Sequence, residues 1–282
     1  MKLVRDGVHL SFELAGTGTP DLVFVHGLGG DASHFAAQLA HYCDRERVLI
    51  VELRGHGASD APRQTYPIEV FADDIAWLCD TLELHRPVIV GQGLGGNTAL
   101  EIAARRPELA AAVVLLDSSL LLTPEETERL TACCDGLHGP DWQDWGRRII
   151  AEACQPTDRC RAQVEARFLA TPQHVLAAAC DGVMAWEQTR ARICASACRV
   201  PVLYVEASRP LVDLERFARL CPQLITAKAT GSGHFLAMEV PEQVDAMLDR
   251  FLLLYRRQSH GATPHASQAL SAPLANRRQA SA

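Results

Sequence analysis

The sequence predicts an α/β fold: a mostly parallel central sheet flanked by helices, with a helical cap inserted after one strand. Three observations lead there. Continuous apolar runs recur at residues 22–25, 48–51, 87–90, 113–116 and 200–205, as in strands buried on both faces. Segments with helical apolar spacing separate them, which implies βαβ units. The alternation stops near residue 120 and resumes near 198, so the intervening helical stretch reads as an insertion.

In chain order, residues 8–14 alternate like an edge strand, and Gly16-Thr17-Gly18-Thr19-Pro20 is a turn. The run 22–25 ends at His26-Gly27-Leu28-Gly29-Gly30, and a helix follows through Phe35, Leu39 and Tyr42. The run 48–51 leads into the glycine-rich loop Arg54-Gly55-His56-Gly57. Ile68, Phe71, Ile75, Leu78 and Leu82 then recur at helical spacing. Pro87-Val88-Ile89-Val90-Gly91-Gln92-Gly93-Leu94-Gly95-Gly96 is strand, tight turn and helix start, and the helix continues through Leu100 and Ile102. The run 113–116 ends in a carboxylate, Asp117. After the insertion come a strand at 200–205, a helix near 213–220, a short strand near 224–227 and a last helix over about 241–255. The segments are residues 1–119 and 199–257 for the core, 120–198 for the cap, and 258–282 for a tail. That tail is rich in Ala, Ser and Pro, lacks periodicity and is expected to be disordered.

Composition narrows the function classes. With 48% hydrophobic and 22% charged residues, the 282-residue chain reads as a soluble globular protein. A formal charge of −7 with dispersed Arg and Lys gives no basic face for nucleic acid. No run approaches the ~18 apolar residues of a membrane span, and Met1-Lys2-Leu3-Val4-Arg5-Asp6 lacks an apolar signal core. The ten cysteines contain no C-x-x-C pair, so all ten are expected to be free thiols in a reducing compartment, with a cytoplasmic location as default. No cluster has metal-ligand spacing and no phosphate loop occurs. No cofactor is expected. The expected partner is a small molecule, and the chain is a monomer or homodimer.

Chemistry concentrates in three motifs. Gly91-Gln92-Gly93-Leu94-Gly95 has the frame of a G-x-S-x-G nucleophile elbow, with glycine where the serine belongs. Glycine has no side chain with which to attack a carbonyl. Gly231-Ser232-Gly233-His234-Phe235 puts a histidine in a glycine-flanked loop, and the glycine-rich turn at residues 26–30 offers backbone donors.

Together these motifs resemble the α/β-hydrolase superfamily, specifically small bacterial members with a helical cap, over the chain up to about residue 256. The resemblance implies that Gly93 stands at the nucleophile position and that His234 is the catalytic histidine. It also implies that the Leu28 and Leu94 amides are oxyanion donors, with Gly27 and Gln92 beside them at the substrate. The acid that fixes the histidine's tautomer is expected at Asp117 first, with Asp213 or Glu206 as alternatives. The usual acid turn is replaced here by Glu206-Ala207-Ser208-Arg209-Pro210. His26 and His56 are expected to brace loops, and Gly95 and Gly96 to let a helix approach the sheet. Trp142, Trp145 and Trp186 read as core more than pocket. Ser118 and Ser119 lie beside the acid and are not read as replacement nucleophiles.

The implied function is action on an ester, lactone, thioester or activated C–C bond of a small molecule, nearly silent as written because residue 93 is glycine. Two alternatives stand beside it. One is a nucleophile-independent His–Asp general base, of the cofactor-free dioxygenase or lyase type. The other is a non-catalytic binding protein on the same scaffold.

Overall fold

The computed structural model describes residues 1–209 and 211–261, with the main chain alone for 255–261. Eight strands form one sheet in the order β1-β2-β4-β3-β5-β6-β7-β8. The first two, β1 (Lys2–Arg5) and β2 (Val8–Ala15), make a hairpin, and β2 pairs antiparallel with β4 (Arg47–Val51). From β4 onward every pairing is parallel. β3 (Asp21–Val25) sits between β4 and β5 (Val88–Gln92), followed by β6 (Ala112–Leu116), β7 (Val202–Glu206) and β8 (Leu224–Lys228). β2 is therefore not the edge expected from its alternation. β1 covers it with a four-residue strand whose exposed Lys2 and Val4 gave no buried-strand signal.

The sheet is buried on both faces because successive strand residues point to opposite sides. Val23, Leu49, Ile89, Val113 and Tyr204 face one core. There they meet α2 (Ile68–Thr81) and α3 (Leu94–Arg105). Phe24, Ile50, Val90, Val114 and Leu203 face the other. It is closed by α1 (Ala36–Tyr42), preceded by a 3-10 turn, and by the C-terminal helix described below.

Between β6 and β7 lie α4 (Pro124–His138), α5 (Trp142–Ala153), α6 (Arg161–Ala170), α7 (Gln173–Thr189) and α8 (Ala191–Ala197). The helices α4 to α7 share a third apolar core that includes Leu137, Ile150, Phe168 and Leu176 and takes in Phe235, while α8 packs through Ala191, Cys194 and Ala195 into the first. A disulfide joins Cys134 on α4 to Cys180 on α7. This corrects the expectation of ten free thiols. The two residues are 46 apart in sequence on separate helices, so no local spacing announced the pair.

After β7 come α9 (Leu214–Leu220), β8, the single turn α10 (Leu236–Glu239) and α11 (Pro241–Gly261). The helix α11 runs past residue 257, so residues 258–261, expected in the tail, are helical main chain. No proline or glycine interrupts the chain between Pro241 and Gly261. The remainder of the expected tail lies outside the described residues. No helix among the described residues is long and apolar enough to cross a membrane.

Candidate active site

The elbow is set by backbone geometry. β5 delivers the chain into Gly93, at φ 54° and ψ −118°, and α3 begins at the next residue. That conformation disfavours any residue with a Cβ. The turn is tight because a Cβ on Gly95 would run into the Val25 carbonyl oxygen, and one on Gly91 into the Gly95 backbone. These contacts seat α3 directly on the sheet, with its N-terminus aimed at the cavity.

Opposite the elbow, the loop after β8 presents His234. Its Nδ1 lies 2.8 Å from Asp117 Oδ2. A Cβ built on Gly93 would lie 3.0 Å from His234 Nε2, so the imidazole faces the position a nucleophile would fill. Asp117 follows β6, is 1% exposed and holds φ 45°, a strained setting for a residue with a Cβ. Its other oxygen, Oδ1, accepts from the Ala207 amide at 3.4 Å. The other two candidate acids are elsewhere. Asp213 caps α9, its carboxylate accepting from the Arg216 amide at 2.9 Å. Glu206 ends β7 and makes no hydrogen bond to His234.

Two further contacts fix the histidine loop. The His234 amide donates to the Ala153 carbonyl at 2.7 Å, and the Gln92 side-chain amide donates to the His234 carbonyl at 3.2 Å. Gln92 thus ties the elbow to the histidine loop. The Leu28 and Leu94 amides sit at turns ahead of their helices, where no intrahelical acceptor exists. Both residues line the cavity, as do Gly27, Gln92, Gly93, Asp117 and His234.

The glycine-rich turn at residues 26–30 rests on a buried histidine group. Leu53 N–H donates to His26 Nε2 at 3.1 Å, so His26 Nδ1–H is the donor to the Gly27 carbonyl at 2.7 Å. His56 Nδ1 faces the Arg54 carbonyl at 3.1 Å. Burial pushes His34 and His56 down to about 4. It also holds His26 well below its ordinary 6.5, with His56 beside it adding to the effect. A folded value below the unfolded one means that acid favours the unfolded chain. No penalty exists above pH 6.5. It grows as the unfolded histidines protonate, and the shares of His34 and His56 level off near pH 4, where these two charge in the fold. Each could cost up to about 3 kcal/mol at that limit. Urea unfolding midpoints are therefore expected to be level above pH 7 and to fall steeply from pH 6.5 to 4. A profile flat down to pH 4.5 contradicts this.

The cavity holds about 200 Å³, below the roughly 300–1,000 Å³ of sites for drug-sized ligands. Its roof comes from the insertion: Leu130, Leu137, Ile149, Phe168 and Val183 line it. Phe168 lies against Gly29, at φ 70°, where a Cβ would meet its ring. No tryptophan is among the lining residues. Trp186 is buried, and its indole N–H donates to Glu101 at 2.8 Å. The sequence reading missed Phe168 as the roof, because nothing local links residue 168 to residue 29. Ser118 is turned toward Gly96. Ser119 lines the cavity beside Asp117, not at the elbow.

A family model described as alpha/beta hydrolase fold matches residues 20–193. A 2-(acetamidomethylene)succinate hydrolase of Mesorhizobium japonicum is 34% identical over 113 residues, which are 40% of this chain and 41% of that enzyme. Several curated relatives are matched over only 33–41% of their own length. A Haemophilus influenzae protein, whose name places it provisionally among esterases and lipases, is 25% identical over 256 residues, 83% of each chain. The solved structure of an enol-lactonase from Burkholderia xenovorans superposes with a TM-score of 0.80 at 22% identity. That match covers 90% of this chain and 100% of the enzyme.

Proposed function

We propose that this chain, which belongs to the alpha/beta hydrolase fold family, uses His234 and Asp117 as a general-base pair on a compact carbonyl substrate, an ester or lactone by class. Residues 120–198 serve as the cap over that substrate. The observation that carries the reading is the His234–Asp117 contact of 2.8 Å beneath an imidazole that faces the vacant Cβ position of Gly93. Asp117 accepts from Nδ1–H and leaves Nε2 free to take a proton. With no hydroxyl at residue 93, Nε2 activates a water that attacks the carbonyl directly. The Leu28 and Leu94 amides receive the oxyanion. No acyl-enzyme forms, and turnover is slow.

Hydrolysis of a short-chain chromogenic ester by the chain as it stands tests this. The expected result is slow steady turnover with no burst and no labelling by a serine-directed phosphonate. His234→Ala lowers the rate by about 10²–10⁴, the span of one positioned general base. An unchanged rate in His234→Ala, or phosphonate labelling of the native chain, overturns it.

One observation favours a second reading. Because nothing stands between Nε2 and the cavity, the same pair could draw a proton from carbon and leave an enolate against the two amides. On that reading residue 93 must stay glycine. The effect of restoring serine separates the two.

A further inference from the structure

Outside the cavity, two cysteines six residues apart meet a glutamate 79 positions beyond the second. Cys154 Sγ, Cys160 Sγ and a Glu239 carboxylate oxygen all lie within 4.8 Å of one another. Cys160 Sγ is 3.8 Å from Glu239 Oε1. Cys154 is the residue after α5, Cys160 the residue before α6, and Glu239 ends α10. Both thiols are buried and unpaired by any disulfide. Asp158, in the same turn, accepts the Gln155 amide and lies beside Glu239.

We propose that Cys154, Cys160 and Glu239 bind one divalent cation of the zinc class, with Asp158 or water as fourth donor. Two thiolates and a carboxylate suit a tetrahedral borderline-soft ion. Around such an ion, sulfur–sulfur and sulfur–oxygen edges are roughly 3.5–3.8 Å, by the bond lengths of zinc sites. With the three donor atoms within 4.8 Å of one another, the closing movement is about 1.3 Å at most by those bond lengths. The donors already sit on fixed elements: Glu239 accepts the Gly233 amide, and Ala153, next to Cys154, accepts the His234 amide. The ion therefore staples the α5–α6 turn to the loop that carries His234. Binding expels the two thiol protons, so affinity rises with pH.

The full chain, reduced and stripped with a chelator, tests this with zinc and cobalt alone as probes. Expected are uptake of one zinc per chain and, with cobalt, a thiolate charge-transfer band in the near ultraviolet with visible bands of tetrahedral intensity. The cobalt band should vanish in Cys154→Ser and in Cys160→Ser and persist in Cys43→Ser and in the Cys134→Ser/Cys180→Ser double variant. The thermal midpoint of the native chain should rise with added zinc, and that of Cys160→Ser should not. The cobalt spectrum of the native chain decides the matter even if a variant folds poorly. No stoichiometric uptake, a band that survives both serine variants, or recovery of Cys154 and Cys160 as a disulfide that excludes zinc overturns the proposal. These readouts are independent of ester turnover, so failure here leaves the His234–Asp117 reading untouched.

Discussion

Gly93→Ser should convert a nearly silent site into a covalent one. The new Cβ would stand 3.0 Å from His234 Nε2, so the imidazole must withdraw by a few tenths of an ångström. Its hydrogen bond to Asp117 still permits that. The hydroxyl then lies between the base and the cavity, with the Leu28 and Leu94 amides already in place. Loss of a triad member costs on the order of 10⁴–10⁶ in related machinery. A partial gain of about 10³-fold or more in ester turnover is therefore the expected result, with phosphonate labelling at residue 93 and a burst of one product equivalent. Serine at φ 54° is also strained, by about 1 kcal/mol, so the variant should melt slightly earlier. If Gly93→Ser stays unlabelled and turns over more slowly than the native chain, the proton-abstraction reading replaces the hydrolytic one. If nothing changes, the His234–Asp117 pair is not reaching the carbonyl at all.

The second large effect is on stability, at Glu101. This carboxylate sits on the elbow helix α3 with 0% side-chain exposure. It is held by Arg190 at 2.6 Å, by the Trp186 indole at 2.8 Å and by the Cys194 thiol at 2.9 Å. Burial pushes its pKa up, but the bonds from Arg190, Cys194 and Trp186 outweigh that and leave it below its ordinary value. Removing one partner of a buried pair typically costs ~3–5 kcal/mol. The low end applies here, because Arg190 is 29% exposed and has Glu69 at 3.3 Å as a second partner. Glu101→Ala should thus lose about 3 kcal/mol, seen as a lower urea midpoint at unchanged slope. Glu101→Gln, which keeps an acceptor for the indole, should lose less. A loss under about 1 kcal/mol in Glu101→Ala would mean that the network contributes no more than a surface pair.

What could be read in the sequence follows from how local each signal is. The strands β3 to β7 were legible because burial on both faces leaves continuous apolar runs. The elbow was legible because its glycines crowd one another within a few residues, Gly91 against the Gly95 backbone. Asp117 and His234 could be named because each ends a recognisable strand or loop, and the structure brings them to 2.8 Å. The rest depends on contacts between distant residues. Glu101 looked like an ordinary helix residue until Trp186 and Arg190 met it from 85 and 89 positions away. The Cys134–Cys180 bond, the Phe168–Gly29 contact and the Cys154–Cys160–Glu239 cluster are of the same kind. β1 escaped notice for a different reason: it is short and half exposed, so its burial leaves little periodicity to detect.

The insertion is not attached evenly. Its α4–α7 half carries the covalent cross-link, and the α7–α8 end is moored to α3 through Glu101. The α5–α6 half rests on the Phe168–Gly29 packing, a surface ion pair of Arg167 with Asp31 at 3.0 Å, and the Ala153–His234 bond. The α5–α6 half shares the third apolar core with α4, α7 and Phe235 but carries neither the cross-link nor the Glu101 mooring. The His234 amide donates to Ala153 at the end of α5, so the loop that carries the imidazole and the roof over the cavity are held by the same helices. A cation bound at the α5–α6 turn would tie the two together a second time.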